Sequence, residues 1–204
     1  MSVDNTFWED RYTAAAASSS SVWSLEPNTW IASTIERLKP KTAVDLGAGE
    51  GRNALWLASL GWKVVAVDFS PAGLAIGRAR GEHRRLEVQW VVADATTWVA
   101  PRPVDLVVMA YLQLPHNHFV SALHNSLASL VIGGRLVMIG HDVDNLTQGT
   151  GGPQDVSLLN SVEQLRAAVA SAGVEIEIVE CRQIRRTTAD GSVAVDTILV
   201  ARRR

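Results

Sequence analysis

From Pro40 onward the chain alternates short, Val-rich apolar runs with helix-like stretches, and this rhythm limits the fold more than any other feature. The runs Thr42 to Leu46 (TAVDL), Lys63 to Phe69 (KVVAVDF), Val88 to Ala93, Val104 to Leu112 (VDLVVMAYL) and Gly134 to Gly140 (GRLVMIG) read as strands. Asn53 to Leu60, Pro71 to Arg80 and Pro115 to Leu130 read as helices between them. Strands without polar alternation must be covered on both faces, which calls for parallel pairing with helical crossovers. Such crossovers are right-handed, so the expected architecture is a doubly wound α/β sandwich. Ligand-binding groups then belong in the loops at the carboxyl ends of the strands.

The C-terminus breaks the rhythm. Val162 to Ala172 reads as a helix closed by Gly173, followed by two extended segments, Val174 to Arg186 and Ser192 to Arg202. Ala189-Asp190-Gly191 joins these two as a hairpin turn. Asp142 to Asn160 is a polar, Gly-rich connection of the length typical of a lid or binding loop. Near the N-terminus, the alanines and serines of Ala14 to Ser21 predict a flexible connection between a segment at Thr6 to Thr13 and a helix at Asn28 to Leu38. A length of 204 residues suits one domain. Its expected parts are an N-terminal cap and helix (1–39), an α/β core (40–141), a lid (142–160), and a helix with the terminal hairpin (161–204).

Nineteen basic against 21 acidic residues leave a formal charge of −2, which argues against a general nucleic-acid or membrane-surface binder. The arginines of Arg78 to Arg85 and Arg202 to Arg204 lack interleaved aromatics and add little to a nucleic-acid reading. One cysteine, Cys181, excludes an internal disulfide framework and a Cys-rich zinc site and fits a reducing cytoplasm. No apolar run nears the ~20 residues of a membrane helix. Asp4, Glu9 and Asp10 without an apolar run argue against a signal peptide.

The first strand ends Val44-Asp45-Leu46-Gly47-Ala48-Gly49-Glu50-Gly51-Arg52-Asn53. Three glycines let the backbone approach a ligand closely, and the following helix presents its N-terminal N–H groups there. A dinucleotide fingerprint needs its third glycine at position 52, where this chain has Arg52. Asp45 would repel a diphosphate and attract an ammonium group. Asp68, 17 residues after Gly51, ends the second strand, where a carboxylate can accept both hydroxyls of a ribose. Each such charge-assisted bond is worth about 1.5–3 kcal/mol. The competing reading makes Asp68 a helix cap, a role Ser70 fills better. At the end of the third strand, Asp94 and the backbone of Ala95 can meet an adenine amino group and ring nitrogen.

With acids closing three successive strands, the chain resembles the class I S-adenosylmethionine-dependent methyltransferases. The resemblance covers about Thr42 to Arg204 and, more loosely, the N-terminal segment. It implies a three-layer α/β/α sandwich with a seven-stranded, mostly parallel sheet in the order 3-2-1-4-5-7-6, strand seven antiparallel. It implies S-adenosylmethionine as methyl donor, with S-adenosylhomocysteine as product. The cofactor residues it implies are Asp45, Gly47, Ala48, Gly49, Gly51 and Arg52 at the first loop, Asp68 and Phe69 at the second, Asp94 and Ala95 at the third, and Ala110 at the fourth. In similar enzymes an aromatic N-terminal segment covers the cofactor, and Trp23 is the candidate here because an aromatic face can hold a sulfonium. Gly51 to Ala58 and the tail from Ile184 are similar to the small tellurite-resistance methyltransferases. The tail departs from them at Arg185 and Val193, which stand where those enzymes carry a His and an Arg.

On the acceptor side, Tyr111 lies at the end of the fourth strand and His141 ends the fifth. Tyr111 can position a substrate or take a proton, and His141 can act as a general base or serve as a hydrogen-bonded cleft residue. His116 reads as either an acceptor-side group or a helix-start residue. The expected function is methyl transfer by in-line displacement to a small-molecule acceptor, in a monomer or homodimer with no metal, nucleic-acid or membrane partner. Nucleic-acid methylation is disfavoured because Ala110-Tyr111-Leu112-Gln113 stands where an Asn-Pro-Pro-aromatic motif would be. Two alternatives stay open: a non-catalytic module that binds the same adenosyl-sulfur ligands, and a nicotinamide oxidoreductase, which Arg52 and the terminal hairpin disfavour.

Overall fold

A computed structural model of the protein describes residues 3–17, 25–188 and 190–204, with side chains from Trp8 onward, Ala16 excepted. The elements run α1 (Val3–Ala17), α2 (Thr29–Ile35), β1 (Thr42–Leu46), α3 (Arg52–Ser59), β2 (Lys63–Asp68), α4 (Pro71–Arg84), β3 (Val88–Val92) and β4 (Val104–Ala110). Then follow α5 (His116–Ala128), β5 (Leu130–His141), α6 (Asn145–Gln148), a 3-10 turn (Val156–Leu158), α7 (Val162–Ala170), β6 (Ile176–Thr187) and β7 (Val193–Arg203). The seven strands form one sheet in the order β3-β2-β1-β4-β5-β7-β6, with β7 antiparallel to β5 and β6. Both the order and the reversed last strand are as expected. No described helix is long and apolar enough to cross a membrane.

The chain folds as two compact units, Met1–Ala95 with Leu106–Ala110, and Thr96–Asp105 with Tyr111–Arg204. In the first, β1 lies between β2 and β4, parallel to both, in a register that pairs Asp45 with Ala66 and Val108. Val44, Leu46, Ala66, Val67 and Leu106 are at most 1% exposed, which is why these strands carry no polar alternation. Helix α4 starts where Ser70 Oγ accepts the Gly73 N–H at 2.9 Å and Pro71 occupies the first turn. Gly73, Gly77 and Gly81 repeat every fourth residue, so they form one narrow face of that helix. A Cβ at Gly77 would lie 2.6 Å from the Trp90 ring and 2.8 Å from the Glu50 carbonyl oxygen. One at Gly73 would meet the Tyr12 ring at 3.2 Å, which places α1 against the start of α4.

Three expectations are corrected. Ala14–Ala17 complete α1 rather than beginning a flexible connection, because alanine is the strongest helix former. Helix α2 stops at Ile35 instead of Leu38, with Asn28 as its cap, accepting the Ile31 N–H. Strand β5 begins at Leu130, four residues early. Residues 18–24, among them Trp23, lie outside the described residues.

The second unit is built on the antiparallel β5, β7 and β6. Ala194–Ala201 of β7 are all buried. The 142–160 connection is tied at both ends by a bridge between Asp142 and Asn160. Within it, Asn145 donates to the Gly151 carbonyl at 2.8 Å and accepts the Val195 N–H at 2.7 Å. That segment therefore carries α6 and the 3-10 turn on an anchored base.

Gly77→Ala tests the close approach of α4. In an open helix the change adds roughly 1 kcal/mol of stability. Here the added methyl meets a backbone carbonyl and an indole, and overpacking costs about 1–3 kcal/mol. We expect a net fall in Tm of roughly 2–8 °C by calorimetry; a rise would show that Trp90 and the β1–α3 loop yield freely.

Candidate active site

The loop after β1 turns left-handed at Gly47, Gly49 and Gly51, with φ of 74°, 54° and 73°. Any side chain there is strained, and at Gly51 a Cβ would also lie 2.5 Å from the Trp90 ring. Gly47 and Ala48 both donate their N–H to the Val67 carbonyl, at 2.8 and 3.0 Å, holding the loop to the end of β2. Gly51 gives α3 no side-chain cap. Asp45 supplies one from the neighbouring strand, its Oδ2 accepting the Ala54 N–H at 2.9 Å.

Asp45 is 1% exposed, and its Oδ1 is buried with no hydrogen-bond partner among the described residues. Burial pushes its pKa up to about 7, opposed by the Ala54 N–H and the Arg52 guanidinium and reinforced by the charge of Asp68. Asp68 itself is buried, with Oδ2 accepting the Gly49 N–H at 2.8 Å and Oδ1 the Ser70 N–H at 2.9 Å. Burial also raises its pKa, and the bonds from Ser70 and Gly49 hold it down. Each oxygen keeps a second lone pair for a hydroxyl donor.

The sequence-derived candidates Asp45, Gly47, Ala48, Gly49, Gly51 and Asp68 are thus brought together in one hydrogen-bonded group. Arg52 opens α3 and bears electrostatically on Asp45. Phe69 is half-buried beside Asp68, and Ala110 closes β4. Asp94 is exposed and Ala95 half-buried in the loop after β3. Sequence reading missed Glu50, which is 2% exposed with its Oε2 2.7 Å from Arg80 Nη1. It also missed Asn53, whose Oδ1 accepts the Asn28 N–H at 3.1 Å and so moors the segment before α2 to this loop. An acid and an amide flanking the last glycine of such a loop were the available signal.

In the second unit, three polar side chains gather around Asp196 of β7, which is 0% exposed. Its Oδ2 accepts the Tyr111 hydroxyl at 2.9 Å and the Arg186 Nε–H at 2.8 Å. Its Oδ1 lies 3.0 Å from Nδ1 of His141. That contact is off the ideal hydrogen-bond line, and neither atom has another partner among the described residues. Burial works against the charge of Asp196, but His141 and Arg186 hold its pKa below the ordinary carboxylate value. The Arg186 guanidinium lies 5.7 Å from the centre of the Tyr111 ring, and the Tyr111 and His141 rings are 4.9 Å apart. Burial, then the Asp196 charge, raises the Tyr111 pKa, so its hydroxyl acts as a donor to Asp196. Tyr111 also sits at φ 55°, a left-handed conformation costing a non-glycine residue roughly 1 kcal/mol or more. His116 begins α5.

Arg185, singled out from the sequence, is exposed and donates to Gln148 Oε1 at 2.8 Å. Strand alternation turns the next residue, Arg186, to the other face and onto Asp196. Val193 is 39% exposed at the start of β7. Asp196 was legible as the lone acid of β7, set among the apolar residues Val193 to Val195 and Ile198 to Ala201.

Residues 43–134 match the family model described as a methyltransferase domain. That match takes in 92 of the 204 residues, a little under half of the chain. The chain is 38% identical over 103 residues to the demethylmenaquinone methyltransferase of Thermus thermophilus, covering 49% of this chain and 47% of that protein. It is 34% identical over 110 residues to ribosomal RNA small subunit methyltransferase J of Laribacter hongkongensis, covering 50% of this chain and 38% of that protein. The chain thus spans about half or less of the length of these curated relatives. The crystal structure of TehB from Haemophilus influenzae superposes with a TM-score of 0.73 at 17% identity, covering 97% of this chain and 67% of that one, a likeness of fold.

The raised pKa of Asp45 sets a sign for the ligand-free domain. Between about pH 4 and 7 the unfolded chain releases this proton while the folded domain keeps it, so stability from this group falls as pH rises through that window. Asp45→Asn keeps an oxygen for the Ala54 N–H and removes the charge. It should match the wild type in Tm near pH 4 and exceed it by several degrees at pH 8; a pH-independent difference would place the titration elsewhere.

Proposed function

We propose that this domain transfers a methyl group from S-adenosylmethionine to a small-molecule acceptor, releasing S-adenosylhomocysteine. One observation carries the reading. A buried carboxylate oxygen, Asp45 Oδ1, stands unpartnered beside a three-glycine loop, a setting that suits an ammonium group and repels a diphosphate. When bound, the cofactor supplies an electrophilic methyl carbon on sulfur. The chain's own residues supply the binding. Asp45 and the Gly47–Gly51 loop take the amino-acid end, Asp68 with Phe69 the ribose, and Asp94, Ala95 and Ala110 the adenine. Arg52, at the first turn of α3, helps keep Asp45 ionised, and Trp23 belongs to the proposed cover.

We assign the acceptor to the polar group around Asp196, with His141 and Tyr111 as its reactive-side residues. A small acceptor is favoured over RNA by the charge of −2 and by Arg185 and Arg203 being engaged with protein acceptors. A reducing cytoplasm suits the single buried thiol, Cys181. A monomer or homodimer is the expected state.

The test is binding followed by turnover. S-adenosylhomocysteine at 100 times its Kd should add about 2.7 kcal/mol, and NAD should add nothing. Because Asp45 must be ionised to hold an ammonium, the Kd should tighten about tenfold from pH 6 to pH 8, given its pKa of about 7. Asp45→Asn should abolish that slope. Stabilisation by NAD alone would sink the reading. With the cofactor bound, labelled methyl transfer into a small-molecule extract supports it. Transfer only into total RNA reassigns the acceptor, and no transfer into either reassigns the domain as a binding module.

A further inference from the structure

Helix α1 brings another acid to the turn that holds Asp68. Glu9 and Tyr12 are three residues apart, so they share one face of that helix. Tyr12 is buried, and a Cβ at Gly73 would meet both its ring and the Gly49 carbonyl oxygen at 3.2 Å. Gly49 donates its N–H to Asp68 Oδ2, and Gly73 lies three residues after Ser70, which donates to Asp68 Oδ1. The Tyr12 face of α1 therefore rests on the two turns that fix the Asp68 carboxylate. One helical turn before Tyr12, the Oε2 of Glu9 is buried with no hydrogen-bond partner among the described residues. The charge of Glu9 reaches Asp68 and adds to the rise in its pKa. All of these residues belong to the first unit.

A buried carboxylate oxygen with nothing to accept, close to a like charge, costs free energy until a donor fills it. A metal ion would fill it, but the described residues include no group of three or more His, Cys, Asp or Glu able to hold one. Hydroxyl donors need no such group. Each oxygen of Asp68 already accepts one backbone N–H and keeps one lone pair, whereas Glu9 Oε2 keeps both of its own. Two acids on different elements can thus take a vicinal diol from two sides.

We propose that Glu9 binds the ribose hydroxyls of the ligand together with Asp68, so that the bound ligand fastens α1 to the glycine loop. This rests on the S-adenosylmethionine reading and adds to it a binding residue outside the strand ends. In the free domain the two carboxylates repel each other. The hydroxyl hydrogens of a bound ribose stand between them and turn that repulsion into a bridge. Helix α1 is then held by the ligand as well as by Tyr12 against α4.

The test is calorimetric titration of S-adenosylhomocysteine, and of its 2′-deoxy and 3′-deoxy forms, into the wild type and Glu9→Ala. Alanine preserves the helix. We expect Glu9→Ala to weaken S-adenosylhomocysteine about tenfold, the worth of one hydrogen bond to a charged group. It should weaken at least one deoxy form by less than about twofold, because a bond that form cannot make cannot be lost. Glu9→Gln, which removes only the charge, should show the same pattern to a smaller degree, and it keeps the test open if Glu9→Ala loosens α1. Hydrogen exchange of the α1 amides should slow when S-adenosylhomocysteine is added to the wild type, and much less in Glu9→Ala. An unchanged Kd in both variants, equal losses for all three ligands, or α1 exchange in the wild type that is indifferent to ligand would overturn the proposal. Failure of the wild type to bind S-adenosylhomocysteine at all would instead overturn the cofactor reading, and the proposal with it.

Discussion

The two bonds that Asp68 accepts hold the first unit in its working shape. Its carboxylate takes one N–H from the glycine loop and one from the turn that starts α4, joining the ends of two parallel strands through a single buried group. That clamp adds to the bonds from Gly47 and Ala48 to Val67 in ordering a loop of three left-handed glycines, which lose the most conformational freedom on ordering. Charge-assisted bonds of about 1.5–3 kcal/mol each are large enough to offset that loss. The cost falls on a second buried acid nearby, because the charge of Asp68 makes Asp45 harder to ionise. The unpartnered oxygen of Asp45 leaves part of that cost uncompensated in the ligand-free domain, and a cationic ligand group is what would compensate it.

How far this was visible in the sequence follows from which interactions are local. The parallel strands were legible from unbroken apolar runs, and the start of α4 from Ser70 and Pro71, because burial and capping act over a few residues. The acids at the strand ends were legible because strand ends and loop glycines occur together in the chain. The extent of α1 was obscured by the serines that follow its alanines, a compositional cue that outweighed helix propensity. The Glu50–Arg80 pair spans 30 residues and depends on how closely α4 approaches the loop, which the spacing of its glycines allows but does not specify.

The terminal hairpin shows the same limit more sharply. A family correspondence points to Arg185, but in a strand a one-residue shift moves a side chain to the opposite face. The register pairs Ile184 with Asp196 and Arg186 with Ala194, which puts Arg186, and not Arg185, on the Asp196 face. Sequence alternation could have narrowed the choice to one of two faces. Only the register says which face meets Tyr111 and His141.

The buried acids of the two units do opposite work. Asp45 has one oxygen filled and one unfilled, which leaves it a contact to offer a ligand group. Asp196 faces a phenol, a guanidinium and an imidazole, so little of it is left for a ligand, and it acts through those neighbours. Of the three, the phenol donates its hydrogen inward and the guanidinium cannot accept a proton at all. The imidazole alone has a ring nitrogen able to accept a proton, and a Cβ at Gly152 would lie within 2.9 Å of that ring. The left-handed Tyr111 fits this account, because a residue held in an unfavourable backbone conformation is kept there by the bonds that its side chain makes.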